Sequence, residues 1–139
     1  MLISSRGRYI LRVLLDLAEH SGERYVPMRE VAARQGISLK YIERIIPALS
    51  QSRYVEGVHG KGGGYRLARP PREYRVGDIL RLAEGDLAPV ACLGCEGKPC
   101  DRAEGCKTMP MWTEFHRLVN DYFDGITLED LLNNRQSIE

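Results

Sequence analysis

The spacing of apolar residues predicts three helices in the first part of the chain. The first begins after Ser4 or Ser5, either of which can cap it, and ends near Glu19. The second covers residues 28–34. Ser38 is a favourable N-cap for the third helix. The stripe that we expect to be buried on the third helix consists of Leu39, Ile42, Ile45, Ile46 and Leu49.

Glycine and proline mark the limits of this helical pattern. Gly36 is predicted to end the second helix and to make a tight turn before the third. Pro47 lies inside the third helix, where a proline removes a backbone hydrogen bond at a cost of about 3 kcal/mol. Either the helix bends at Pro47, or the part of it that contacts a partner ends before Pro47.

The stretch after the third helix predicts a β-hairpin. Residues 54–58 and 65–67 are the predicted strands, and the glycine-rich segment 59–64 joins them in a loop longer than two residues. Tyr25 and Val26 could add a short strand. Helices followed by a hairpin are typical of a winged helix-turn-helix, in which the second helix of the pair enters the major groove of DNA and the hairpin forms the wing.

The second half of the chain is predicted to be helical on both sides of a long loop. A short helix covers 78–84 and a longer amphipathic helix covers 111–123, with the loop 92–106 between them. A last helix begins after Thr127 and ends near Leu132. The apolar stripe of the longer helix consists of Trp112, Phe115, Leu118, Val119 and Tyr122.

These elements predict a fold that is mostly α with a small β-hairpin wing. Residues 1–75 form the predicted winged helix-turn-helix region, with the helix-turn-helix at about 28–51 and the wing at about 54–67. Residues 76–139 form a linker helix, the loop and the long C-terminal helix.

The composition favours a soluble, cytoplasmic protein. Hydrophobic residues make up 43% of the chain and charged residues 28%, as in ordinary globular proteins. The apolar run Ile10–Ala18 is too short to span a bilayer and contains Arg12 and Asp16. We find no nucleophile–base pair and no nucleotide-binding motif, so the sequence does not predict an enzyme.

The charge is distributed unevenly along the chain. Residues 1–75 hold 14 Lys and Arg and 7 Asp and Glu, whereas residues 76–139 hold 6 and 12. The net charge of +1 therefore hides a basic half and an acidic half. A basic half that coincides with a helix-turn-helix pattern favours nucleic acid as its partner.

The helix-turn-helix pattern places a defined set of side chains at DNA. On the third helix Lys40 and Arg44 could reach phosphates or guanine, and Glu43 could accept a hydrogen bond from a cytosine amino group. On the wing, basic side chains suit phosphates or the adjacent minor groove. The predicted DNA-binding residues are Ser38, Lys40, Tyr41, Glu43 and Arg44 on the helix and His59, Lys61 and Arg66 on the wing.

Four cysteines are concentrated in the loop between the two C-terminal helices. They are Cys92, Cys95, Cys100 and Cys106, with the spacing C-x2-C-x4-C-x5-C. In a reducing compartment this favours a metal or redox site over a disulfide framework. Thiolates suit both iron–sulfur clusters and zinc, and the spacing matches neither a ferredoxin nor a paired zinc ribbon. The spacing alone therefore predicts a metal or redox site of unspecified type.

Several motifs together resemble the IscR/NsrR/CymR family of bacterial winged-helix transcription regulators. The cysteine loop followed by Trp112 is similar to that family. The other motifs are S-S-R-G-R-Y at 4–9, Q-G-I-S-L-K-Y-I-E at 35–43, G-x-G-G-G-Y at 60–65, V-G-D-I-L at 76–80 and I-T-L-E-D-L at 126–131.

The resemblance implies a homodimer that pairs through the long C-terminal helix and binds a pseudo-palindromic operator in double-stranded DNA. Glu43 matches a position that reads bases in the iron–sulfur members, and His59 stands where some relatives have arginine.

The resemblance also implies a cysteine-ligated iron–sulfur cluster, [2Fe–2S] or [4Fe–4S]. The matching ligands, spaced C-x7-C-x5-C, are Cys92, Cys100 and Cys106. Met109 stands where IscR-like members have a histidine, and Arg8 stands where NsrR-like members have an acidic residue. Cys95 is then the natural fourth ligand, and an exogenous thiol or an acidic residue of the partner subunit are the alternatives.

The sequence thus predicts a DNA-binding transcription regulator that senses iron–sulfur cluster status, redox state or nitric oxide. Two alternatives stay open at this point. The cysteines could serve thiol-based redox sensing or bind zinc, or the protein could be an iron–sulfur or zinc protein that acts through protein partners.

Overall fold

The computed structural model describes residues 3–94 and 100–133. Most of these residues are helical, and the two strands form one antiparallel hairpin, which confirms the predicted fold class. Among the described residues, none of the helices is both long enough and apolar enough to cross a membrane. The elements are α1 (Ser5–His20), α2 (Met28–Gln35), α3 (Leu39–Gln51), β1 (Val55–Val58), β2 (Gly64–Leu67), α4 (Val76–Glu84), α5 (Met109–Asp124) and α6 (Leu128–Asn133).

Side-chain caps fix the starts of the helices where the sequence predicted them. Ser4 caps α1 by accepting a hydrogen bond from the Gly7 amide. At α6 the Thr127 hydroxyl accepts from the Asp130 amide at 3.1 Å, and the Asp130 carboxylate accepts from the Thr127 amide at 2.9 Å. Helix α5 is longer than expected and runs from Met109 to Asp124.

Helix α3 is continuous through Pro47, so it does not end there. The proline is exposed, while Ile46 before it and Leu49 after it are buried in the core. Packing on both sides of Pro47 offsets the missing backbone hydrogen bond. Leu39 corrects one prediction, because its side chain is 39% exposed and lies outside the buried stripe of α3.

The main core is built around one face of α1. Four of its side chains are completely buried: Ile10, Val13, Leu14 and Leu17. Helices α2, α3, α4 and α6 and strand β2 all pack against α1. Ile79 of α4 and Leu128 of α6 belong to the same core, so residues from both sides of the predicted boundary at residue 75 share it.

A second, smaller apolar cluster joins α4 to α5. Its buried members are Val76, Leu80 and Leu87, and Val119 and Phe123 of α5 pack against them. This cluster holds the inner face of α5 on the body of the protein.

The wing is paired as a regular antiparallel hairpin, and its pairing with Val26 is one of the contacts that tie it to the core. Val55 pairs with Leu67 and Val58 with Gly64, which leaves residues 59–63 as the loop. Val26 forms a bridge to Tyr65, with N···O distances of 2.8 and 2.9 Å, as the predicted short strand at Tyr25 and Val26 suggested. A close backbone approach at Gly64 accompanies this bridge, because a Cβ there would collide with the Val26 carbonyl group.

Another tie between the wing and the core is the buried side chain of Tyr74. Its hydroxyl donates to the Tyr54 carbonyl at 2.5 Å and accepts from the amides of Ala68 and Arg69 at 3.1 and 3.2 Å. One phenol therefore satisfies backbone groups at both ends of the hairpin.

Asp16 is a buried charge that links α1 to α2. Its carboxylate accepts hydrogen bonds from the Arg34 guanidinium, the shortest at 2.7 Å, and from the Gln35 amide at 2.9 Å. Burial by itself would raise the pKa of Asp16, but the hydrogen bonds from Arg34 and Gln35 outweigh it and hold the pKa below its ordinary value. Asp16 is thus charged and satisfied inside the fold.

We expect Arg34→Met to destabilise the protein by about 3 kcal/mol at neutral pH, because it leaves the Asp16 carboxylate buried without its main partner. Urea unfolding followed by circular dichroism measures this decrease. Arg24→Met is the matched control, since Arg24 is 56% exposed and its ion pair with Glu30 lies at the surface. A decrease in stability that is equal in the two variants would contradict the prediction.

The pH dependence of this effect has a defined sign. Because the folded pKa of Asp16 is lowered, its ion pair stabilises the protein at pH above the ordinary aspartate value of 3.8. The difference between wild type and Arg34→Met should therefore shrink as the pH falls through and below that value.

Candidate DNA interface and cysteine loop

The turn between α2 and α3 sets the direction of the third helix. Gly36 takes the left-handed conformation, with φ 63° and ψ 32°, and its amide bonds to the Ala32 carbonyl. Ile37 is buried, and Ser38 caps α3 by accepting from the Tyr41 amide at 3.1 Å. The first turn of α3 therefore projects from the body on a rigid support, as in a helix-turn-helix.

The predicted residues of α3 lie on two sides of that first turn. Ser38, Lys40, Tyr41 and Arg44 line a shallow depression on one side. Glu43 lines a cleft of about 350 Å³ on the other side, between α3 and the wing. The cationic side chains of α3 and its acidic acceptor thus line different depressions.

Two residues of α1 lie beside the cationic side chains of α3, and the sequence analysis did not identify them. The ring of Tyr9 meets the ring of Tyr41 edge-on, with centroids 5.5 Å apart. The guanidinium of Arg12 lies 5.4 Å from the Tyr9 ring centroid and also bonds to Gln35. Tyr41 is therefore half-buried between α1 and α3, and only the α1–α3 packing reveals the contact.

The side chains of the predicted wing residues differ in exposure and in the contacts that they make. His59 and Lys61 are exposed in the loop between the strands. Arg66 is half-buried, and its guanidinium bonds to Glu56 at 2.7 Å and to the Glu23 carbonyl at 2.9 Å. It also lies 4.5 Å from the Tyr25 ring centroid. These contacts commit Arg66 to holding the wing, and they arise because the strand register puts it opposite Glu56.

On α3 and at the wing tip, a set of cations has no acidic partner among the described residues. They are Lys40, Arg44 and Lys61, and all three are exposed. Exposed, unpaired cations on α3 and the wing tip are suited to bind the phosphates of a nucleic acid.

The cysteines occupy the connection between α4 and α5. Cys92 is half-buried in a short 3₁₀ helix, Ala91–Leu93. Cys100 is exposed, and its sulfur accepts from the Arg102 amide at 3.4 Å. Cys95, the predicted fourth ligand, lies outside the described residues.

Cys106 lies three residues before the start of α5, and the pKa of its thiol is lowered. Its sulfur lies 3.4 Å from the Thr108 hydroxyl oxygen. Hydrogen bonds from the Thr108 side chain, and then from the backbone amides of Thr108 and Met109, lower the pKa of Cys106. A thiol with a lowered pKa is a better metal ligand and a more reactive nucleophile at neutral pH.

Cysteine thiolates are ligands that a soft metal centre prefers, but the described cysteines lie apart from one another. In the part of the chain that the structure describes, no three His, Cys, Asp or Glu side chains come together closely enough to hold a metal. A metal centre held by Cys92, Cys100 and Cys106 therefore requires the three side chains to move together. Residues 100–108 form turns and no helix.

The outer face of α5 is apolar and exposed. Met111, Phe115, Leu118 and Tyr122 recur at intervals of four, three and four residues, and they are 42% to 64% exposed. Val119, predicted to belong to the same stripe, packs inward instead. The stripe predicted from sequence is thus divided between two faces, and the outward one follows coiled-coil spacing.

Arg81 of α4 ties the end of α5 to the body. Its guanidinium bonds to both carboxylate oxygens of Asp124 at 2.7 Å and to the Asn120 side-chain oxygen at 3.0 Å. Gly77 lies against the same carboxylate, and a Cβ there would collide with it. The connection that carries the cysteines therefore begins and ends on two helices that are fastened together.

Comparisons with known proteins agree with this architecture. A protein-family model named Rrf2, described as "Iron-dependent Transcriptional regulator", matches residues 3–134. The HTH-type transcriptional regulator IscR of Pectobacterium carotovorum is 34% identical over 139 residues, which is 100% of this chain and 84% of that protein.

Solved structures are similar over the same extent. The structure of T. potens IscR superposes with a TM-score of 0.77 at 34% identity, and the match covers 100% of this chain and 91% of that one. CymR, the global cysteine regulator of B. subtilis, gives a TM-score of 0.82 at 29% identity, with 98% and 99% covered. These relatives are transcriptional regulators rather than enzymes, as the sequence predicted. The chain belongs to the Rrf2 family of winged-helix transcriptional regulators.

Proposed function

We propose that this regulator binds a pseudo-palindromic operator as a homodimer and senses iron–sulfur cluster status through the loop 92–106. One observation carries the proposal: the cysteines lie in the connection between α4, which packs on the DNA-binding unit, and α5, whose apolar face is exposed. A cytoplasmic location follows from it, since the DNA is there and thiols stay reduced there.

In this proposal the first turn of α3 enters the major groove and the wing tip contacts the adjacent backbone. Lys40, Arg44 and Lys61 hold phosphates, and Glu43 accepts from a base edge. The His59 side chain is free to approach DNA, whereas Arg66 supports the wing through Glu56.

We expect Lys61→Ala to weaken operator binding, because it removes one cation that neutralises a phosphate in each subunit. The slope of log affinity against log salt should fall by about one per phosphate, so by about two in a dimer. Fluorescence anisotropy across a salt series measures both. Arg117→Gln is the control, because Arg117 lies on α5 and is paired with Glu114 and Asp121. An unchanged slope in Lys61→Ala would remove the wing tip from the interface.

The exposed stripe of α5 supports pairing with a second copy. Four large apolar side chains on one helical face form a larger contiguous patch than scattered surface residues do. Antiparallel or crossed packing of two such helices would bury all four, and would fix the distance between the two copies of α3.

We expect Leu118→Glu to convert the dimer to a monomer, since a carboxylate would be buried at the centre of the helix pair. Sedimentation velocity at micromolar protein measures the change. Thr113→Glu adds the same charge at an exposed position of α5 outside the stripe, and it should stay dimeric. If Leu118→Glu also stays dimeric, α5 is not the dimer helix.

For the sensor, we propose that Cys92, Cys100 and Cys106 hold an iron–sulfur cluster. Cys95, an exogenous thiol or an acidic residue from the second copy would supply the fourth ligand, and the cluster is [2Fe–2S] or [4Fe–4S]. When bound, such a cluster supplies a centre that responds to oxidation and to iron supply.

The chain's own residues then connect the loop to DNA binding. Arg81 and Asp124 keep the C-terminal end of α5 on α4, so a loop that converges pulls on the other end, at Cys106 and Met109. A shift in α5 changes the spacing of the two α3 helices in the dimer. A coupling of about 1–3 kcal/mol would change operator affinity by about 5- to 150-fold.

We expect protein purified without oxygen to contain iron and sulfide and to absorb visible light, and the variant with Cys92, Cys100 and Cys106 all replaced by Ala to lack both properties. Metal analysis and absorption spectra measure this outcome. Cys95→Ala tests the fourth ligand, since absence of the cluster there would select Cys95. Identical operator binding by the triple variant and the wild type in every redox condition would refute the sensing mechanism.

A thiol-based sensor is the second candidate, and two observations favour it. The Cys106 thiol has a lowered pKa, which suits oxidation, and the described cysteines do not meet around a common point. Colourless, metal-free protein whose operator binding changes with peroxide would select this alternative. Zinc without sulfide would select a zinc site, and no binding to DNA at low salt would favour a protein partner.

A further inference from the structure

Two exposed apolar side chains lie outside the proposed dimer face on α5. The described residues include six exposed large apolar side chains, and four of them form the stripe on α5. The other two are Leu39, at 39% exposure, and Val58, at 47%. Both line the same cleft of about 350 Å³ between α3 and the wing. Isolated exposed apolar residues are ordinary, but here the only two outside α5 among the described residues share one cleft.

The position of this pair within the helix-turn-helix restricts what can cover it. Leu39 is the first residue of α3, in the turn that a helix-turn-helix directs at base edges. Glu43 lies four residues later, so it stands on the same face of α3 and lines the same cleft. Val58 is the last residue of β1, directly before the wing loop. The cleft thus combines apolar side chains with an acidic acceptor and the Arg29 guanidinium.

The chemistry of this cleft suits one feature of DNA. In the major groove, the apolar group that distinguishes one base from the others is the 5-methyl group of thymine, and apolar side chains recognise it. The Glu43 carboxylate disfavours phosphates in this cleft, whereas Lys40 and Arg44 line the other depression. An apolar protein surface is disfavoured as the occupant, because it would bury the charged side chains of Arg29 and Glu43, which line the cleft, against apolar groups.

We infer that Leu39 and Val58 form an apolar contact for the methyl group of a thymine in each half of the operator. This inference rests on the proposed DNA binding and makes it more specific. One helical turn separates Leu39 from Glu43, a rise of about 6 Å, which corresponds to about two base steps. The thymine therefore lies within about two base pairs of the base that Glu43 contacts.

The test begins with selection of binding duplexes from a random library, which requires no knowledge of the operator. In an enriched duplex each thymine is then replaced singly by deoxyuridine, which removes the methyl group and keeps the base pairing. At one thymine of each half-site we expect the replacement to weaken binding of the wild type by about fourfold, the effect of exposing one methyl group.

The variant Leu39→Ala should bind the thymine and deoxyuridine duplexes within twofold of each other. Lys40→Ala is the matched control, because Lys40 neighbours Leu39 but lines the other depression of α3. It should weaken binding of both duplexes equally and keep the fourfold difference. Val58→Ala should reduce the difference in part, and circular dichroism establishes that each variant is folded.

The outcomes separate this inference from the function on which it rests. If duplexes are enriched but no thymine replacement matters, or if Leu39→Ala keeps the full difference, the methyl contact is wrong and DNA binding stands. An enriched motif without an invariant thymine in each half-site overturns it equally. If no duplex is enriched at low salt, the proposed DNA binding itself fails, and the methyl contact fails with it.

Discussion

Burial of one face of α1 is the interaction on which the rest of this structure depends. Ile10, Val13, Leu14 and Leu17 are completely removed from solvent, and the helix-turn-helix, the second wing strand, α4 and α6 all pack on that face. The DNA-binding unit and the C-terminal helices are therefore not independent bodies joined by a linker. A displacement of α4 or α6 has to be accommodated by the same close-packed core that orients α3.

Polar contacts fix how the helices are oriented on this apolar core. Asp16 and Arg34 hold α2 on α1, and the Tyr74 hydroxyl holds both ends of the wing. Arg81 and Asp124 hold the end of α5 on α4. Each contact satisfies a partly buried polar group that would be costly to leave unpaired. Each therefore favours one arrangement of the helices over alternative arrangements. The cysteine connection is the exception, because no comparable tie holds it in the described residues from 100 to 108.

The surfaces left free by this packing differ in chemistry. Cations and a cleft with an acidic acceptor lie around the first turn of α3, and an apolar stripe lies along α5. The first surface suits a polyanion and the second suits a like surface on another copy. The cysteines lie between these two surfaces along the chain, which is the arrangement that the proposed switch requires.

The sequence by itself determined the helices, the hairpin, the capping residues Ser38 and Thr127, and the family, and it narrowed the first cap to Ser4 or Ser5. Local rules suffice there, because caps, glycine turns and helical periodicity act within a few residues. It also identified Lys40, Glu43 and Arg44 of α3 and His59 and Lys61 of the wing tip, which are exposed. Only the tertiary structure decided that α3 continues through Pro47, that Leu39 faces outward, and that Arg66 is committed to Glu56. Those outcomes depend on residues distant in the chain, since packing, strand register and burial are set by which elements meet and not by local pattern.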